Sequence, residues 1–353
     1  MNGGLRMYKQ KSFKIKILFN CTFAILFASN MFLPSVSAAD WSGAYNPQTW
    51  MGDNYEKLKD KKLNDICIPG SHDSGMSVKL GGTAFALKGN TLTQNHDIKG
   101  QLDAGVRMFD WRPTIGKAKG WRNNLGAGHY ANTNVKVIGW QGANGQSMED
   151  AVSQINEFTK DKKEIIIFNL SHFLNTNVGR NYRSFDDEDF KKLFNELHKL
   201  NHLVSRKNFK YQQIINTPIE SILEKGHSAV ILTFDGYTDL SDYASDKNYF
   251  RMFDKYSDDN DPDKVISDQL TKMKNNATAN YFLFACTMTH SASQAAIGRP
   301  AIRSDKFAGK INAKAAEILQ HIDKKIFPNV LNTDCSDEKL SKIAYEITKA
   351  VVP

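Results

Sequence analysis

The sequence predicts an α/β fold, a distorted or incomplete TIM-like (β/α) barrel in a single domain. From residue 64 onward, short runs rich in isoleucine, valine and phenylalanine alternate with amphipathic stretches. The runs are almost continuously apolar, which is typical of parallel strands covered on both faces. No glycine-rich phosphate loop follows the first run, and this favours a barrel over an open doubly wound sheet.

The apolar runs give the predicted strands. Val135–Ile138 is the weakest of them. In chain order the predicted strands are Leu63–Pro69, Val106–Arg112, Val135–Ile138, Glu164–Leu170, Ala229–Phe234, Tyr281–Met288 and Asn329–Asp334.

Amphipathic stretches carry apolar residues at helical spacing and predict helices packed on the sheet. Ser147 stands directly before the first stretch and, with Asp150 three residues later, predicts a helix start with a side-chain cap. The stretches are Met148–Phe158, Phe190–Leu200, Ile311–Ile322 and Leu340–Ile347.

The first 38 residues have the composition of an export signal. A basic start precedes the apolar stretch Ile17–Leu33, and the small residues Val36 and Ala38 occupy the −3 and −1 positions of a cleavage site. Polar residues interrupt this stretch, and no later segment approaches the ~20 apolar residues that a membrane span requires. We therefore expect a signal peptide over residues 1–38, one folded domain over residues 39–353, and secretion.

Composition argues against a nucleic-acid-binding protein and against a protein built on a disulfide framework. The signal contains five of the Lys/Arg residues and no Asp/Glu, so the formal net charge falls from +8 for the full chain to +3 after its removal. The remaining lysines are dispersed among acids, which does not support binding to nucleic acid. Three cysteines remain, Cys67, Cys286 and Cys335, and an odd count within strand-like runs predicts buried thiols. The alternative is a Cys67–Cys335 disulfide, if their strands are neighbours.

Polar side chains stand at the carboxyl ends of the predicted strands, where a barrel gathers its catalytic residues. One neutral histidine can accept a proton while a second, protonated one donates a proton, and a guanidinium can neutralise a phosphoryl group between them. Carboxylates behind the histidines would fix their tautomers and raise their pKa values. The candidates are His72, Asp73, Asp110, Arg112, His129, Ser171, His172, Asp235, His290 and Asp334.

Three segments resemble, in order and approximate separation, the catalytic segments of bacterial phosphatidylinositol-specific phospholipase C, of the X-domain family. They are IPGSHDSG at Ile68–Gly75, LDAGVRMFDWRP at Leu102–Pro113 and GHY at Gly128–Tyr130. The segments span the first third of the mature chain, and the later strands follow the family outline less closely. The resemblance implies a distorted TIM-like barrel that cleaves the bond between inositol phosphate and diacylglycerol.

The resemblance also implies roles for the charged residues in these segments. His72 matches the general base that deprotonates the inositol 2-hydroxyl, which then attacks the adjacent phosphorus to give a cyclic inositol phosphate. His129 matches the general acid that protonates the departing diacylglycerol oxygen. Arg112 matches the arginine that stabilises the non-bridging phosphoryl oxygens.

Carboxylates complete the implied catalytic set. Asp73 matches the carboxylate beside the arginine and the general acid, and Asp334 resembles the aspartate hydrogen-bonded to the general base. Asp110 resembles a further active-site acid. Eukaryotic relatives place calcium-binding carboxylates where this chain has Arg112, whose fixed positive charge would repel a divalent ion. The expectation is therefore catalysis without a metal or another cofactor.

The substrate-binding residues follow the family pattern only in part. The segment FDKYSD at Phe253–Asp258 suggests Asp254 for an inositol hydroxyl and Tyr256 for stacking on the ring. The family grips inositol with a lysine and an arginine at the ends of middle strands. At those places this chain has Ser171, His172 and Asp235, so the head-group specificity stays open.

The expected partner is phosphatidylinositol or a related inositol lipid at a membrane surface, with no nucleic acid and no obligate protein partner. The segment Met76–Leu92 follows the first predicted strand and contains Phe85 and Leu87 between lysines, so we expect it to touch the bilayer. The alternative for this segment is a short lid helix. Trp121 and Arg122 are predicted as a second contact.

Other functions remain open. One is a calcium-dependent glycerophosphodiester phosphodiesterase, which is also a barrel with two histidines but needs carboxylates around a metal. Another is a catalytically silent X-domain relative that binds membrane or glycan, and the residues at Ser171 and Asp235 keep this alternative open.

Overall fold

The computed structural model of the chain describes residues 41, 44–133, 139–179, 181–205, 209–210, 212–223, 226–234, 250–289 and 309–352. The predicted signal peptide lies outside the described residues, as do the predicted strand Val135–Ile138 and the site candidates Asp235 and His290. Secretion and the two domain boundaries therefore stay predictions. No helix of the described residues is long and apolar enough to cross a bilayer.

The described residues form thirteen strands in two sheets. In chain order they are β1 (Ile68–Ser71), β2 (Gly81–Gly82), β3 (Met108–Trp111), β4 (Pro113–Ile115), β5 (Leu125–Asn132), β6 (Trp140–Ser147), β7 (Ile165–Leu170), β8 (Leu174–Asn175), β9 (Arg183–Ser184), β10 (Ala229–Phe234), β11 (Met252–Phe253), β12 (Tyr281–Cys286) and β13 (Val330–Thr333).

The larger sheet contains seven strands in the order β10-β7-β3-β1-β13-β12-β11, and every pairing within it is parallel. It curls into half of a barrel, with β10 and β11 as its edges. This confirms the predicted α/β class and the incomplete TIM-like barrel. In such a sheet the carboxyl ends of the strands face one side, and here β1 lies between β3 and β13.

Five of the predicted strands contain the observed strands β3, β7, β10, β12 and β13. The first prediction, Leu63–Pro69, is wrong at its start, because Leu63–Asp65 forms a 3-10 turn and β1 begins only at Ile68. The side chain of Asp65 accepts a hydrogen bond from the Lys62 backbone N–H at 2.9 Å and closes this turn. Local hydrogen bonding therefore overrides the strand pattern here.

Nine α-helices lie within the described residues. The longer ones begin with a side chain that accepts a backbone N–H, as at Ser147, Asp186, Asp261 and Asp337. In chain order the helices are α1 (Trp50–Asp53), α2 (Tyr55–Leu58), α3 (Lys88–Thr91), α4 (Ile98–Asp103), α5 (Met148–Thr159), α6 (Asp187–Leu197), α7 (Ile219–Ile222), α8 (Pro262–Asn276) and α9 (Glu338–Val351).

The amphipathic stretch Ile311–Ile322 does not form the long α-helix that its spacing predicts. Its ordered part is a 3-10 helix, Ala315–Gln320. Ile311, Ala315 and Ile318 are nevertheless buried in the core. The apolar pattern correctly predicts which side chains are buried, but it does not distinguish the tighter 3-10 turn from an α-helix.

The larger sheet is buried on both faces. Ile165 and Ile167 of β7 belong to one hydrophobic cluster, whereas Ile166 and Phe168 of the same strand belong to another. Helices α5 and α6 contribute apolar residues to the second cluster, and α9 contributes to the first. This arrangement explains why the predicted strands are continuously apolar rather than alternating.

A second, mostly antiparallel sheet has the order β2-β6-β5-β4-β8-β9 and is absent from the sequence prediction. Its central strands β5 and β6 are rich in glycine, and at Gly142 an added Cβ would lie 2.2 Å from the His129 carbonyl oxygen. Close approach of the two backbones therefore requires glycine at this position. The sheet matters for the site because β5 contains His129.

All three cysteines of the described residues are free thiols. Cys67 and Cys286 are buried, as predicted, and Cys335 is partly exposed. Burial raises the pKa of the Cys67 thiol. No disulfide joins Cys67 and Cys335, so the alternative prediction is wrong.

Candidate active site

The predicted catalytic residues converge at the carboxyl ends of three adjacent parallel strands. His72 and Asp73 follow β1, Arg112 follows β3 and Asp334 follows β13. The chain then turns from Arg112 directly into β4, which pairs with β5, and the Gly128 N–H donates to the Arg112 carbonyl at 3.0 Å. This turn brings His129 back over the end of the sheet.

One side of the site is built around His72. Its Nδ1 lies 2.8 Å from Oδ1 of Asp334, and its Nε2 lies 3.0 Å from Nη2 of Arg112. A proton on Nδ1 donated to Asp334 leaves Nε2 as the basic nitrogen of the neutral ring. His72 can therefore accept a proton on the side that faces the guanidinium.

The other side is organised by the buried carboxylate of Asp73, which is 1% exposed. One oxygen of this carboxylate pairs with Nε of Arg112, and the other pairs with Nδ1 of His129. Asp73 itself has a left-handed backbone, with φ +43°, and its N–H donates to Oδ2 of Asp110 at 3.2 Å. Asp110 thus holds the turn that aims Asp73 at Arg112 and His129.

The electrostatics of the cluster favour charged forms. Burial lowers the pKa of His72, but the carboxylates of Asp73 and Asp334 outweigh burial and raise that pKa to about 9. Burial raises the pKa of Asp73, and the nearby Arg112 and His72 outweigh it, so the pKa lies well below the usual range. The Arg112 pKa is raised because burial is outweighed by Asp73 and other acids. The guanidinium charge is therefore permanent.

Ser171 and His172 lie at the edge of this cluster. The Ser171 hydroxyl donates to Oδ1 of Asp110 at 3.2 Å, and Nδ1 of His172 lies 2.8 Å from the same hydroxyl. His172 has a left-handed backbone with φ +52°. These two residues therefore extend the hydrogen-bonded network from Asp110 toward the end of β7.

The other predicted substrate contacts follow β11. Asp254 is exposed, and its negative charge contributes to the raised pKa of Arg112. Tyr256 is 62% exposed. A cavity of about 1160 Å³ borders Asp254, and its described lining contains neither His72 nor His129. The contacts of Asp254 and Tyr256 with inositol stay predictions. The same holds for Asp235, which lies outside the described residues.

Three potential metal ligands come together within the site. Donor atoms of His72, Asp73 and Asp110 lie within 4.8 Å of one another. Both oxygens of Asp73 are already paired, one with Arg112 and one with His129. A divalent cation would have to displace one of these partners and, beside Asp73, would lie close to the positive charge of Arg112, so this donor set fits a cation poorly.

The rim of the site exposes apolar side chains. The segment Met76–Leu92 contains Phe85, 57% exposed, and Leu87, 39% exposed, followed by the four-residue helix α3. The prediction of a second contact at Trp121 is wrong, because this side chain is buried and donates Nε1–H to the Gly145 carbonyl at 3.0 Å. The large indole ring of Trp121 packs against Gly126 of β5, where a side chain would leave it no room.

Comparison with solved structures decides the fold. Phosphatidylinositol-specific phospholipase C from Listeria monocytogenes superimposes with a TM-score of 0.56 at 18% sequence identity, covering 86% of this chain and 98% of that one. The chain has the fold of bacterial phosphatidylinositol-specific phospholipase C. A variant of the Staphylococcus aureus enzyme gives a TM-score of 0.55 at 17% identity, covering 85% and 96% of the two chains. The predicted resemblance is confirmed.

Sequence comparison finds partial similarity to two proteins that are named for a PI-PLC X domain. A PI-PLC X domain-containing protein of Dictyostelium discoideum is 30% identical over 102 residues, and a PI-PLC X-box domain-containing protein of that organism is 36% identical over 83 residues. The matches cover 23% and 20% of this chain but only 18% and 11% of those proteins. No family model matches the chain.

Two buried polar residues beneath the site were missed by sequence reasoning. Thr93 and Gln94 are 6% and 3% exposed, and both bond to the turns that carry His72 and Asp334. Neither residue titrates, and neither belongs to a segment that resembles the family motifs. In the sequence, these residues are marked only by their position directly after the segment Met76–Leu92, and this position does not predict a function for them.

Proposed function

We propose that the protein is a secreted phospholipase C that acts on phosphatidylinositol or a closely related inositol lipid. The observation that carries this proposal is that His72 and His129 are each tied through Nδ1 to a carboxylate, while the guanidinium of Arg112 contacts His72 directly and is joined to His129 through Asp73. Such an arrangement supplies a base, an acid and a fixed positive charge for one phosphodiester.

The proposed reaction is an intramolecular transfer. Nε2 of His72 removes the proton of the inositol 2-hydroxyl, whose oxygen forms a bond to phosphorus. The bond from phosphorus to the diacylglycerol oxygen breaks, and His129, protonated at Nε2, gives its proton to that oxygen. Arg112 binds the non-bridging oxygens while negative charge builds on them. The products are diacylglycerol and a cyclic inositol phosphate.

The absence of an enzyme nucleophile from this scheme has a physical reason. The attacking hydroxyl is already adjacent to phosphorus within the substrate, so orientation costs little entropy. Water could later open the cyclic phosphate, with His129 acting as the base and His72 as the acid. The same two imidazoles then serve both steps with exchanged roles.

A turnover assay on vesicles tests the proposed function. Purified protein is incubated with vesicles that contain equal amounts of phosphatidylinositol, phosphatidylcholine and phosphatidylethanolamine. We expect phosphatidylinositol alone to be consumed, with release of diacylglycerol. Binding to the vesicles without loss of any lipid would support the silent relative instead, and turnover that disappears in EDTA would support the calcium-dependent phosphodiesterase.

The exposed apolar side chains favour a membrane surface as the place of action. The large apolar residues exposed within the described chain lie in the connections from β1 to α3, from β7 to α6 and from β11 to α8, which in a barrel lie on the catalytic side. They are Val78, Phe85, Leu87, Val178 and Tyr256.

We expect Phe85→Ser to lower hydrolysis of vesicle lipid and to spare hydrolysis of the same lipid in detergent micelles, because only the bilayer requires insertion of the ring. Asn275→Ser, on an exposed position near the end of α8, serves as the control and is expected to change neither rate. Equal losses in vesicles and micelles would show that Phe85 acts on the fold or on catalysis rather than at the membrane.

Replacement of Asp334 by asparagine tests the assignment of the base. The neutral form of His72 is the active one, so a raised pKa limits activity on the acidic side of the pH profile. Removing the Asp334 charge lowers the His72 pKa from about 9, and the acidic limb of kcat/KM is expected to move to lower pH while the maximum falls.

Asp337→Asn is the matched control for this change. Asp337 lies three residues further along the chain and caps α9 through Leu340 N–H at 3.0 Å. The asparagine oxygen can still accept the Leu340 N–H, so this variant is expected to keep both its stability and the position of the acidic limb. If the acidic limb of kcat/KM has the same pH in Asp334→Asn as in the wild type, His72 is not the general base.

A further inference from the structure

The general base and its carboxylate partner come from two separate turns. His72 follows β1 and Asp334 follows β13, and Nδ1 and Oδ1 of the pair lie 2.8 Å apart. The ladder between the two strands ends with the bond from the His72 N–H to the Thr333 carbonyl, 3.0 Å long. Beyond that bond, other contacts must hold the two turns in register.

The side chain of Gln94 contacts both turns at once. Its Nε2 donates to the His72 carbonyl at 2.7 Å and to the Thr333 carbonyl at 3.1 Å. Its Oε1 accepts from the Ser336 N–H at 3.0 Å. Both amide hydrogens and the amide oxygen are thus used, in a side chain that is 3% exposed.

The neighbouring residue Thr93 also contacts both turns. Its hydroxyl donates to the Asp73 carbonyl at 3.0 Å, and its own carbonyl accepts from the Cys335 N–H at 2.7 Å. Asp73 and Cys335 directly follow His72 and Asp334 in the sequence. Thr93 and Gln94 therefore tie both turns together at two successive positions.

We propose that Thr93 and Gln94 form a positioning bridge that sets the hydrogen bond between His72 and Asp334 and thereby the aim of the general base. A buried polar network in which every donor and acceptor is paired rigidifies the groups it joins. Proton transfer depends steeply on such alignment, since a displacement of 1 Å can cost ~100-fold in rate. The effect on turnover rests on the proposed function, whereas the effect on the His72–Asp334 bond does not.

The test replaces Gln94 by methionine, which has a similar length but cannot make these hydrogen bonds. We expect kcat on phosphatidylinositol in detergent micelles to fall ~10-fold to ~100-fold with KM nearly unchanged, because the bridge aims the base and does not touch the lipid. In a double-mutant cycle, Gln94→Met is expected to have little further effect when Asp334 is already asparagine, since both changes act on one bond.

Gln101→Met is the matched control. Gln101 is also a buried glutamine, and its Nε2 donates to the carbonyls of Ser74 at 2.8 Å and His96 at 2.6 Å. It bonds to the turn after β1 but does not reach the turn after β13. We expect a comparable loss of thermal stability and an unchanged kcat.

A proton NMR measurement makes the result independent of activity. The resonance of the His72 Nδ1 proton hydrogen-bonded to Asp334 is expected to be lost or displaced in Gln94→Met and retained in Gln101→Met. If the wild-type protein turns over no inositol lipid, the proposed function fails while this resonance still tests the bridge. A folded Gln94→Met protein that keeps both its kcat and this resonance would overturn the proposal.

Discussion

Replacing His72 or His129 by alanine is expected to lower kcat on phosphatidylinositol by at least ~100-fold, the lower end of the contribution of a positioned acid or base. His72 is assigned the proton of the attacking hydroxyl, and His129 the proton for the leaving oxygen. Arg112 remains in both variants, so lipid binding should change less than turnover. Steady-state kinetics on micelles measures the two effects separately.

His96→Ala provides the control for this pair. His96 is an exposed histidine two residues after Gln94, and it does not belong to the predicted catalytic set. It is expected to keep wild-type kcat. Wild-type turnover in either His72→Ala or His129→Ala, with the fold intact by circular dichroism, would be incompatible with the assigned roles.

Replacing Glu164 by alanine is expected to lower the free energy of unfolding by ~3–5 kcal/mol, the cost of leaving a buried charge without its partner. Glu164 and Arg107 are fully buried, and Nε of Arg107 lies 2.8 Å from Oε2 of Glu164. The guanidinium also donates to backbone carbonyls, including that of Pro47 at 2.8 Å, and so stays in place when the carboxylate is removed. Chemical denaturation measures the loss.

This ion pair lies at the amino ends of β3 and β7, opposite the catalytic cluster. Glu164→Ala should therefore keep its kcat at temperatures well below its unfolding transition. The double variant Arg107→Met, Glu164→Leu removes both charges and is expected to recover most of the lost stability. A loss in the double variant as large as in the single one would show that the cost comes from packing rather than from the unpaired guanidinium.

The parallel sheet was predictable because burial on both faces leaves a simple pattern in the sequence. Residues 165–168 of β7 and 229–232 of β10 are apolar without interruption because alternate residues enter different hydrophobic clusters. The antiparallel sheet was not predictable in the same way. The strands LGAGHYAN and WQGANGQS are rich in glycine and lack β-branched residues, and at Gly128 and Gly142 close neighbours leave no room for a Cβ.

The convergence of the candidate site residues was predictable for a different reason. His72, Arg112 and Asp334 directly follow parallel strands, and the topology of a barrel gathers such residues at one end. The resemblance implies the pairing of Asp73 with both Arg112 and His129, but no sequence pattern predicts the left-handed backbone at Asp73 that allows it. Gln94 could not be identified, because its role arises from backbone groups that lie far away in the sequence.

Phosphorus NMR of the water-soluble product, with EDTA present throughout, tests most directly whether two imidazoles and one guanidinium are sufficient for the reaction. Purified protein lacking residues 1–38 is incubated with phosphatidylinositol micelles, and the phosphate signal is followed from the first turnover. We predict a cyclic phosphodiester as the first product, at an undiminished rate in EDTA. An acyclic inositol monophosphate as the first product, or no product until calcium is added, would contradict the account.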